Sequence, residues 1–359
     1  MLTNFLSNTY ILALISCLGS FGLVHYMIPK IIFMVNHHNL SEAPGARSSH
    51  LRATPTMGGL AFFVALILNL FLFKHVDNDA IGLNLSAALT LIFIIGFKDD
   101  LSVSTPRARI LMEIIAILII LFNINFHIES FEGFLGFYDA PQLILEILHI
   151  FIALTIINAF NLIDGIDGLA SCIGISIFSI LGLIFFRLNL MFYFLLCVSL
   201  ISMLMAFLKY NFSHQKKIFM GDTGSLVIGF CIAFLFIRFL TLDSIHFETF
   251  AFKPENKLFI LIAILAVPLF DLVRVIGIRL MQKKSPFIAD KNHIHHVLLS
   301  LGWPHYKIAI VLGGLNYALA ILIIYLSTWL NSWYMLTVLI LIFTVLLGFF
   351  YKLKTTIPT

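Results

Sequence analysis

Two long apolar runs flank one short polar segment in residues 151–187, FIALTIINAFNLIDGIDGLASCIGISIFSILGLIFFR. A helix that crosses a bilayer needs about 20 mostly apolar residues, and the apolar segments 142–160 and 168–187 on the two sides approach that length. The polar segment contains Asn158, Asn161, Asp164 and Asp167. If a helix continues through it, residues three apart share one face, so these side chains would form one polar track. A plain capped turn is the alternative, but a turn does not require four such side chains.

The composition of the whole chain agrees with membrane-spanning helices. Of its 359 residues, 60% are hydrophobic and 11% are charged, whereas about 25% of the residues of soluble domains are charged. So few charges cannot cover a soluble surface, and no segment has the period-two alternation of a barrel strand. We therefore predict an all-α polytopic membrane protein with about 11 transmembrane helices in a single domain, residues 1–359. The predicted spans are 9–35, 57–74, 82–98, 107–124, 142–160, 168–187, 189–209, 221–241, 257–281, 307–328 and 332–351.

The Lys and Arg residues of the short loops predict the orientation, because cytoplasmic loops are richer in both. One set of loops carries most of them, namely Arg47, Arg52, Lys98, Arg107, Lys216, Lys217, Lys283, Lys284 and Lys291. The opposite set includes the loop 125–141, which contains no Lys or Arg. We therefore predict the N-terminus outside and the C-terminus in the cytoplasm. The basic residues are scattered, so they do not indicate nucleic-acid binding.

An acidic pair, Asp99 and Asp100, directly follows the third predicted span, in GFKDDLSVSTPRAR (96–109). Adjacent carboxylates repel each other, and a membrane edge increases that cost unless cations offset it. A divalent ion or a cation-bound phosphate would explain the pair, and Arg107 in the same stretch is a candidate substrate contact. The alternative is a solvated acidic pair at a helix end, beside Lys98.

Asp222 lies where the eighth predicted span begins, in FMGDTGSL (219–226). Free backbone N–H groups at the start of a helix suit a phosphate. A carboxylate at the same place can hold a metal ion that bridges to the phosphate. The alternative is that Asp222 is an ordinary helix N-cap.

Histidines are concentrated in SPFIADKNHIHHVLLSLGW (285–303). A short helix is expected there, with His293 and His296 on its polar side and His295 pointing elsewhere. Hydrogen bonds from the imidazoles to phosphate or nucleotide oxygens are the favoured interpretation. Zinc is disfavoured, because one face of the helix offers only two imidazoles and the stretch has no cysteine.

Arg47 and Arg52 precede the second predicted span, in RSSHLRATPTMGGLAF (47–62). Both are placed for phosphate contacts. The stretch lacks the Lys-Ser or Lys-Thr pair of an NTPase phosphate loop. A basic anchor at the membrane edge is the alternative.

These stretches, in this order, resemble the polyprenyl-phosphate N-acetylhexosamine-1-phosphate transferase family. TPTMGG (54–59), the Asp-Asp pair, NAFNLIDGIDGLA (158–170) and MGDTGSL (220–226) each resemble a motif of that family, and the resemblance covers about residues 45–306. It implies transfer of a sugar-1-phosphate from a UDP-sugar to undecaprenyl phosphate, a polyprenyl phosphate. UMP is released, and a lipid-linked cell-envelope glycan such as the O-antigen of lipopolysaccharide is started.

The resemblance also implies roles for single residues. Asp222 matches the magnesium-binding aspartate and Asn158 the asparagine near that metal, with manganese as an alternative ion. The candidate catalytic residues, which match the two acidic motifs, are Asp99, Asp100, Asp164 and Asp167. The candidate substrate-binding residues are Asn161, Arg47, Arg52, Arg107 and the histidines of the His-rich loop, His293, His295 and His296. The implied location is the inner (plasma) membrane, with the active site on the cytoplasmic face, and a homodimer is left open.

The sequence also bears on which branch and which class of protein this is. NHIHH (292–296) resembles the N-acetylglucosamine-1-phosphate branch, whereas the phospho-MurNAc-pentapeptide transferases usually have three consecutive histidines and a lysine-rich run where this chain has RSSHLRA (47–53). That second branch stays the alternative. An ion-coupled transporter would have carboxylates near the bilayer midplane and duplicated halves, and neither is visible. A CDP-alcohol phosphotransferase would need an Arg that DGIDGLA (164–170) lacks.

Overall fold

A computed structural model describes residues 9–38, 54–77, 80–102, 105–123, 126, 128, 130–242, 252–285 and 292–355. These residues form thirteen α-helices and no β-sheet. The first seven helices are α1 Thr9–His37, α2 Gly59–Leu72, α3 Ile81–Leu101, α4 Pro106–Leu121, α5 Gln142–Ile163, α6 Leu169–Arg187 and α7 Met191–Asn211. The other six are α8 Gly221–Leu240, α9 Lys257–Ile264, α10 Ala266–Met281, α11 Ile294–Ser300, α12 His305–Leu326 and α13 Ser332–Thr355. Arg47 and Arg52 lie outside the described residues.

The predicted helical membrane class is confirmed. Within the described ranges, eight helices are long and apolar enough to cross a bilayer, namely α1, α3, α5, α6, α7, α8, α12 and α13. The pair α9 and α10 forms a ninth candidate that is bent by 74°. The remaining two predicted spans correspond to α2 and α4, which have 14 and 16 residues. The count of 11 spans and the orientation of the termini stay predictions.

Helix α8 lies at the centre of the bundle. It packs against α2, α3 and α5, and nearly all of its side chains from Thr223 to Phe239 are buried. A helix that is apolar on all sides has to be enclosed by other elements. Its N-terminal turn is therefore surrounded by the ends of the helices that enclose it, and this is where the polar motifs meet.

Helices α9 and α10 meet at Leu265, where the chain changes direction. Asn316 of α12 is fully buried beside this break. Its Oδ1 accepts a hydrogen bond from the N–H of Val267 (3.1 Å), and its Nδ2 donates to the carbonyl of Ile264 (2.9 Å) and to the hydroxyl of Ser176 (3.2 Å). A break within a membrane leaves backbone groups unpaired unless side chains take their place. Asn316 therefore stabilises the bend that directs α10 toward the histidine segment.

Replacing Asn316 with leucine is expected to lower the free energy of unfolding by about 2–3 kcal/mol, because a buried N–H and a buried carbonyl lose their partner. Thermal unfolding of the purified protein in detergent measures the change. Asn84→Leu is the matched control, since the half-buried Asn84 donates one long hydrogen bond, 3.3 Å, to the carbonyl of Ile119. Equal unfolding temperatures for the two variants would show that the bend does not depend on Asn316.

Candidate active site

The carboxylate of Asp100, at the C-terminal end of α3, accepts three hydrogen bonds from the first turn of α8. The N–H of Asp222 donates to Oδ1 over 2.7 Å, and the N–H and hydroxyl of Thr223 donate to Oδ2 over 3.1 and 2.5 Å. Carboxylates stabilise helix N-termini in this way. The expectation of free backbone N–H groups for a phosphate is therefore wrong at Asp222 and Thr223, because Asp100 already occupies them.

The Asp222 side chain remains 41% exposed, so a ligand can reach it. Asn161 of α5 donates from Nδ2 to Asp222 Oδ1 over 2.8 Å and to the hydroxyl of Ser225 over 2.7 Å. Arg109 of α4 places Nη1 3.6 Å from the same Asp222 oxygen. Three helices thus contribute a carboxylate, an amide and a guanidinium to one accessible point.

Arg109 belongs to a buried network that the sequence analysis missed. Its Nε donates to Glu113 Oε1 over 3.0 Å, and Asn158 Nδ2 donates to Glu113 Oε2 over 3.0 Å and to the Leu154 carbonyl over 2.9 Å. Glu113 has no exposed surface, and a buried carboxylate is costly without a partner charge. Arg109 Nη2 is buried and has no hydrogen-bond partner among the described residues. The spacing of Arg109 and Glu113, four residues apart in one predicted span, was the available signal.

The polar track expected along residues 158–167 ends at Asp164. Helix α5 stops at Ile163, and Asp164 is its C-cap residue. The expectation that Asp164 and Asp167 share a helical face is therefore wrong, because the chain turns between them. Burial, together with the charges of Asp222, Asp100 and Asp167, raises the pKa of Asp164 to about 7.

Asp167 contacts a different set of partners. Its Oδ2 lies 2.7 Å from Lys217 Nζ and 2.8 Å from His305 Nδ1. Burial alone would raise the pKa of Asp167, but the hydrogen bonds from His305 and Lys217 outweigh it and hold that pKa below its usual value. Asp167 thus ties the α5–α6 turn to the α7–α8 loop and to the first residue of α12.

Asp167→Asn is expected to remove a stabilising contribution that depends on pH. A carboxyl group whose pKa is lowered by folding stabilises the protein above its unfolded pKa, about 3.9. That contribution is lost as the pH falls through the folded pKa. The gap in unfolding temperature between wild type and Asp167→Asn should therefore be largest near neutral pH and shrink below about pH 4.

The control for this prediction is Asp139→Asn, at an exposed aspartate in the 130–141 segment. Its unfolding temperature should follow that of the wild type at every pH. A gap for Asp167→Asn that keeps its size at the acidic end would contradict the ion-pair interpretation.

The first histidine of the loop is held by α10. Asp271 Oδ2 lies 2.8 Å from His293 Nδ1, and Asp271 Oδ1 accepts from the N–H of Ile294 over 2.9 Å. Arg274 donates to the carbonyl of Asn292 over 2.6 Å. The bent helix α10 thus fixes where α11 begins.

His295 faces the α5–α6 turn. It is 2% exposed, and its ring centroid lies 5.6 Å from that of His293 and 4.3 Å from that of His296. A Cβ placed on Gly165 would be 2.4 Å from His295 Nε2. The expectation that His295 points elsewhere is therefore wrong. Burial, with the charges of the neighbouring imidazoles, holds the pKa of His295 well below its usual value, and its Nδ1 is buried without a hydrogen-bond partner among the described residues.

The crowding of carboxylates at this end of the bundle fits a divalent cation. The charge of Asp222 is one of the causes that raise the pKa of Asp164, so the two carboxylates lie within range of each other's charge. Magnesium prefers oxygen ligands and commonly binds one or two carboxylates together with substrate phosphates and waters. In the described part of the chain, no three carboxylate, imidazole or thiol groups converge to hold a metal ion by themselves. An ion shared between a carboxylate and a substrate phosphate fits these residues.

Most of the candidate residues meet at one end of the bundle. Those brought together are Asp99, Asp100, Asn158, Asn161, Asp164, Asp167, Asp222, His293, His295 and His296. Arg107 is exposed in the first turn of α4. The chemical roles assigned to all of these residues stay predictions.

Known proteins resemble this chain over the helices that form the site. Residues 83–240 match the family described as glycosyl transferase family 4. A Bacillus subtilis (strain 168) protein named "Probable undecaprenyl-phosphate N-acetylglucosaminyl 1-phosphate transferase" is 31% identical over 298 residues, which cover 80% of this chain and 77% of that protein. Two proteins named "Undecaprenyl-phosphate alpha-N-acetylglucosaminyl 1-phosphate transferase" are also similar. The one from Escherichia coli (strain K12) is 26% identical over 85% of this chain and 82% of its own length. The one from Salmonella typhi is 28% identical over 74% and 70%.

Proposed function

The chain belongs to glycosyl transferase family 4, and from this premise we propose that it transfers N-acetylhexosamine-1-phosphate from a UDP-sugar to undecaprenyl phosphate. Family membership makes it a multi-pass membrane enzyme that transfers a sugar-1-phosphate to undecaprenyl phosphate. The N-acetylhexosamine, the UDP carrier and the magnesium ion are the finer parts of the proposal. The names of the relatives support the N-acetylhexosamine. The meeting of Asp222, Arg109, Asn161 and Asp164 at one end of the bundle supports the metal ion and the phosphate groups of the donor.

The proposed reaction is a phosphoryl transfer. An oxygen of the lipid phosphate attacks the β-phosphorus of the UDP-sugar and forms the new P–O bond. The bond between the β-phosphorus and the bridging oxygen breaks, and that oxygen leaves with UMP. A phosphate monoester has a second pKa of about 6, so the nucleophile is mostly dianionic at neutral pH and does not need a strong base.

The residues at the site would act mainly by positioning and by electrostatic stabilisation, as is usual for phosphoryl transfer. Arg109 is held by Glu113, which leaves Nη1 and Nη2 for contacts near Asp222. We assign its guanidinium to the diphosphate oxygens, on which negative charge develops. Asp222 and Asp164 would hold a magnesium ion, which neutralises part of the phosphate charge when bound.

His295 is assigned to the donor substrate. Its imidazole is neutral at pH 7, because its pKa is well below the usual value. A neutral imidazole can donate from one nitrogen and accept at the other. Hydrogen bonds to phosphate or nucleotide oxygens would give the buried Nδ1 a partner.

The position of the site suits its two substrates. The lipid tail has to stay in the bilayer while its phosphate meets a soluble nucleotide. The site residues lie at the ends of membrane-length helices, which is the depth where those two meet. The excess of Lys and Arg in the loops at this end favours the cytoplasmic face of the inner membrane. The product would start a cell-envelope glycan.

Release of UMP by the purified protein tests the proposal. The reaction contains undecaprenyl phosphate, magnesium and one of UDP-GlcNAc, UDP-GalNAc or UDP-MurNAc-pentapeptide. We expect release with a UDP-N-acetylhexosamine and none without the lipid. Release with UDP-MurNAc-pentapeptide alone would favour the peptidoglycan branch, and release with none of the three donors would refute the proposal.

A further inference from the structure

We propose that Asp100 is a positioning residue which, together with Thr223, holds the first turn of α8 so that Asp222 reaches the substrates. The chemical role of the acidic pair then falls on Asp99. This inference rests on the proposed function, and it departs from the catalytic assignment that the resemblance gave to Asp100.

The hydrogen bonds of Asp100 carry the inference. Both of its carboxylate oxygens accept from the start of α8, one from the Asp222 N–H and the other from the N–H and hydroxyl of Thr223. These hydrogen bonds satisfy N–H groups that have no intrahelical partner in the first turn of a helix. They fix the backbone of Asp222, whose side chain is accessible to a ligand.

Two glycines allow the backbones of α3 and α8 to pack closely around this contact. Gly221 has a φ of +75°, and a Cβ there would lie 2.0 Å from the Thr56 carbonyl oxygen and 2.7 Å from both Asp100 oxygens. One turn earlier in α3, a Cβ on Gly96 would lie 2.6 Å from the Thr223 Cα. Helices α3 and α8 therefore touch at the level of the backbone, and only this close approach lets Asp100 reach the N–H groups.

Thr223 makes the inference testable. It has no exposed surface, so it cannot touch a substrate in this arrangement, and its hydroxyl donates to Asp100 alone among the described residues. If removing that hydroxyl changes catalysis, it must do so by changing the positions of Asp100 and Asp222. Thr223→Ser keeps the hydroxyl and serves as the conservative variant.

The experiment compares Thr223→Val, Thr223→Ser, Asp100→Asn and Asp99→Asn, with the double variants Asp100→Asn/Thr223→Val and Asp99→Asn/Thr223→Val. Thr90→Val is the matched control, because the Thr90 hydroxyl is exposed and, among the described residues, bonds only the carbonyl one turn before it in α3. For each variant, UMP release gives kcat/KM and the magnesium concentration at half-maximal rate. The unfolding temperature gives the stability.

We expect Thr223→Val to lower kcat/KM about tenfold and to raise the half-saturating magnesium concentration, while Thr223→Ser and Thr90→Val stay near wild type. Adding Thr223→Val to Asp100→Asn should cost much less than it does in the wild type, in kcat/KM and in unfolding temperature, because the hydrogen bond is already weakened. Adding it to Asp99→Asn should multiply the two losses, since the Thr223 hydroxyl bonds Asp100 and not Asp99.

The outcomes separate this inference from the proposed function. An inactive wild type would refute the proposed function. With an active wild type, a Thr223→Val variant within twofold of it, or losses that multiply with Asp100→Asn, would overturn the positioning role. An unchanged half-saturating magnesium concentration with a lowered unfolding temperature would also overturn it, because loss of folded enzyme lowers the rate equally at every magnesium concentration.

Discussion

Asp222→Ala is expected to lower the rate of UMP release about a thousandfold, while the chain still inserts and folds. The carboxylate is the exposed end of a network in which Asn161 and Arg109 converge on one oxygen. Its removal takes away a carboxylate that would hold the metal ion, whose charge would offset that of the diphosphate. The fold is expected to survive, because the backbone of Asp222, and not its side chain, makes the contact with Asp100.

The measurements are UMP release over a magnesium titration and the unfolding temperature in detergent. Asp222→Asn keeps the shape and should be nearly as inactive, since an amide is a poor substitute for a carboxylate at a divalent ion. Asp139→Asn removes an exposed carboxylate away from the site and should keep full activity. Normal turnover by Asp222→Ala would remove Asp222 from the active site.

Arg109→Ala is expected to lower both activity and stability. The guanidinium lies beside Asp222 and forms an ion pair with the fully buried Glu113. Removing one member of a buried ion pair costs about 3–5 kcal/mol, because the other charge is left uncompensated. Loss of the cation near the diphosphate should lower kcat/KM by about a hundredfold or more.

A second substitution separates the two effects of Arg109. In Arg109→Ala/Glu113→Gln the buried charge is gone, and the neutral amide can keep its hydrogen bond with Asn158. The unfolding temperature should recover most of its loss, while activity stays low. Recovery of activity in the double variant would mean that Arg109 acts only by neutralising Glu113, and its assignment to the phosphates would be wrong.

The helices could be predicted well from the sequence because hydropathy alone specifies them. In a bilayer the backbone N–H and C=O groups have to be paired inside the segment, so an apolar run of sufficient length forms a helix. All eleven predicted segments coincide with helices. The bend at Leu265 was missed, since the residue that stabilises it, Asn316, is about 50 positions away in the sequence.

The candidate site was predictable as a set of motifs but not as a set of contacts. Asp222, Asn161 and Asp164 could be singled out because polar residues at membrane helix ends are costly and need a reason. The partners of Asp100 and Asp167 could not be found in this way. Asp100 bonds residues more than 120 positions later, and Asp167 pairs with Lys217 and His305 on two other segments.

Hydropathy and motif composition are local properties, and they were enough to predict a bundle of apolar helices with its chemistry at one set of helix ends. Which acidic side chains remain available to a ligand depends instead on how the helices pack. Asp222 stays exposed, whereas Asp100 is engaged by the N-terminus of α8 and Asp167 by the side chains of Lys217 and His305. The reason is that the pairing of a carboxylate depends on which donors the packing of distant helices brings within about 3 Å, and no local pattern records that.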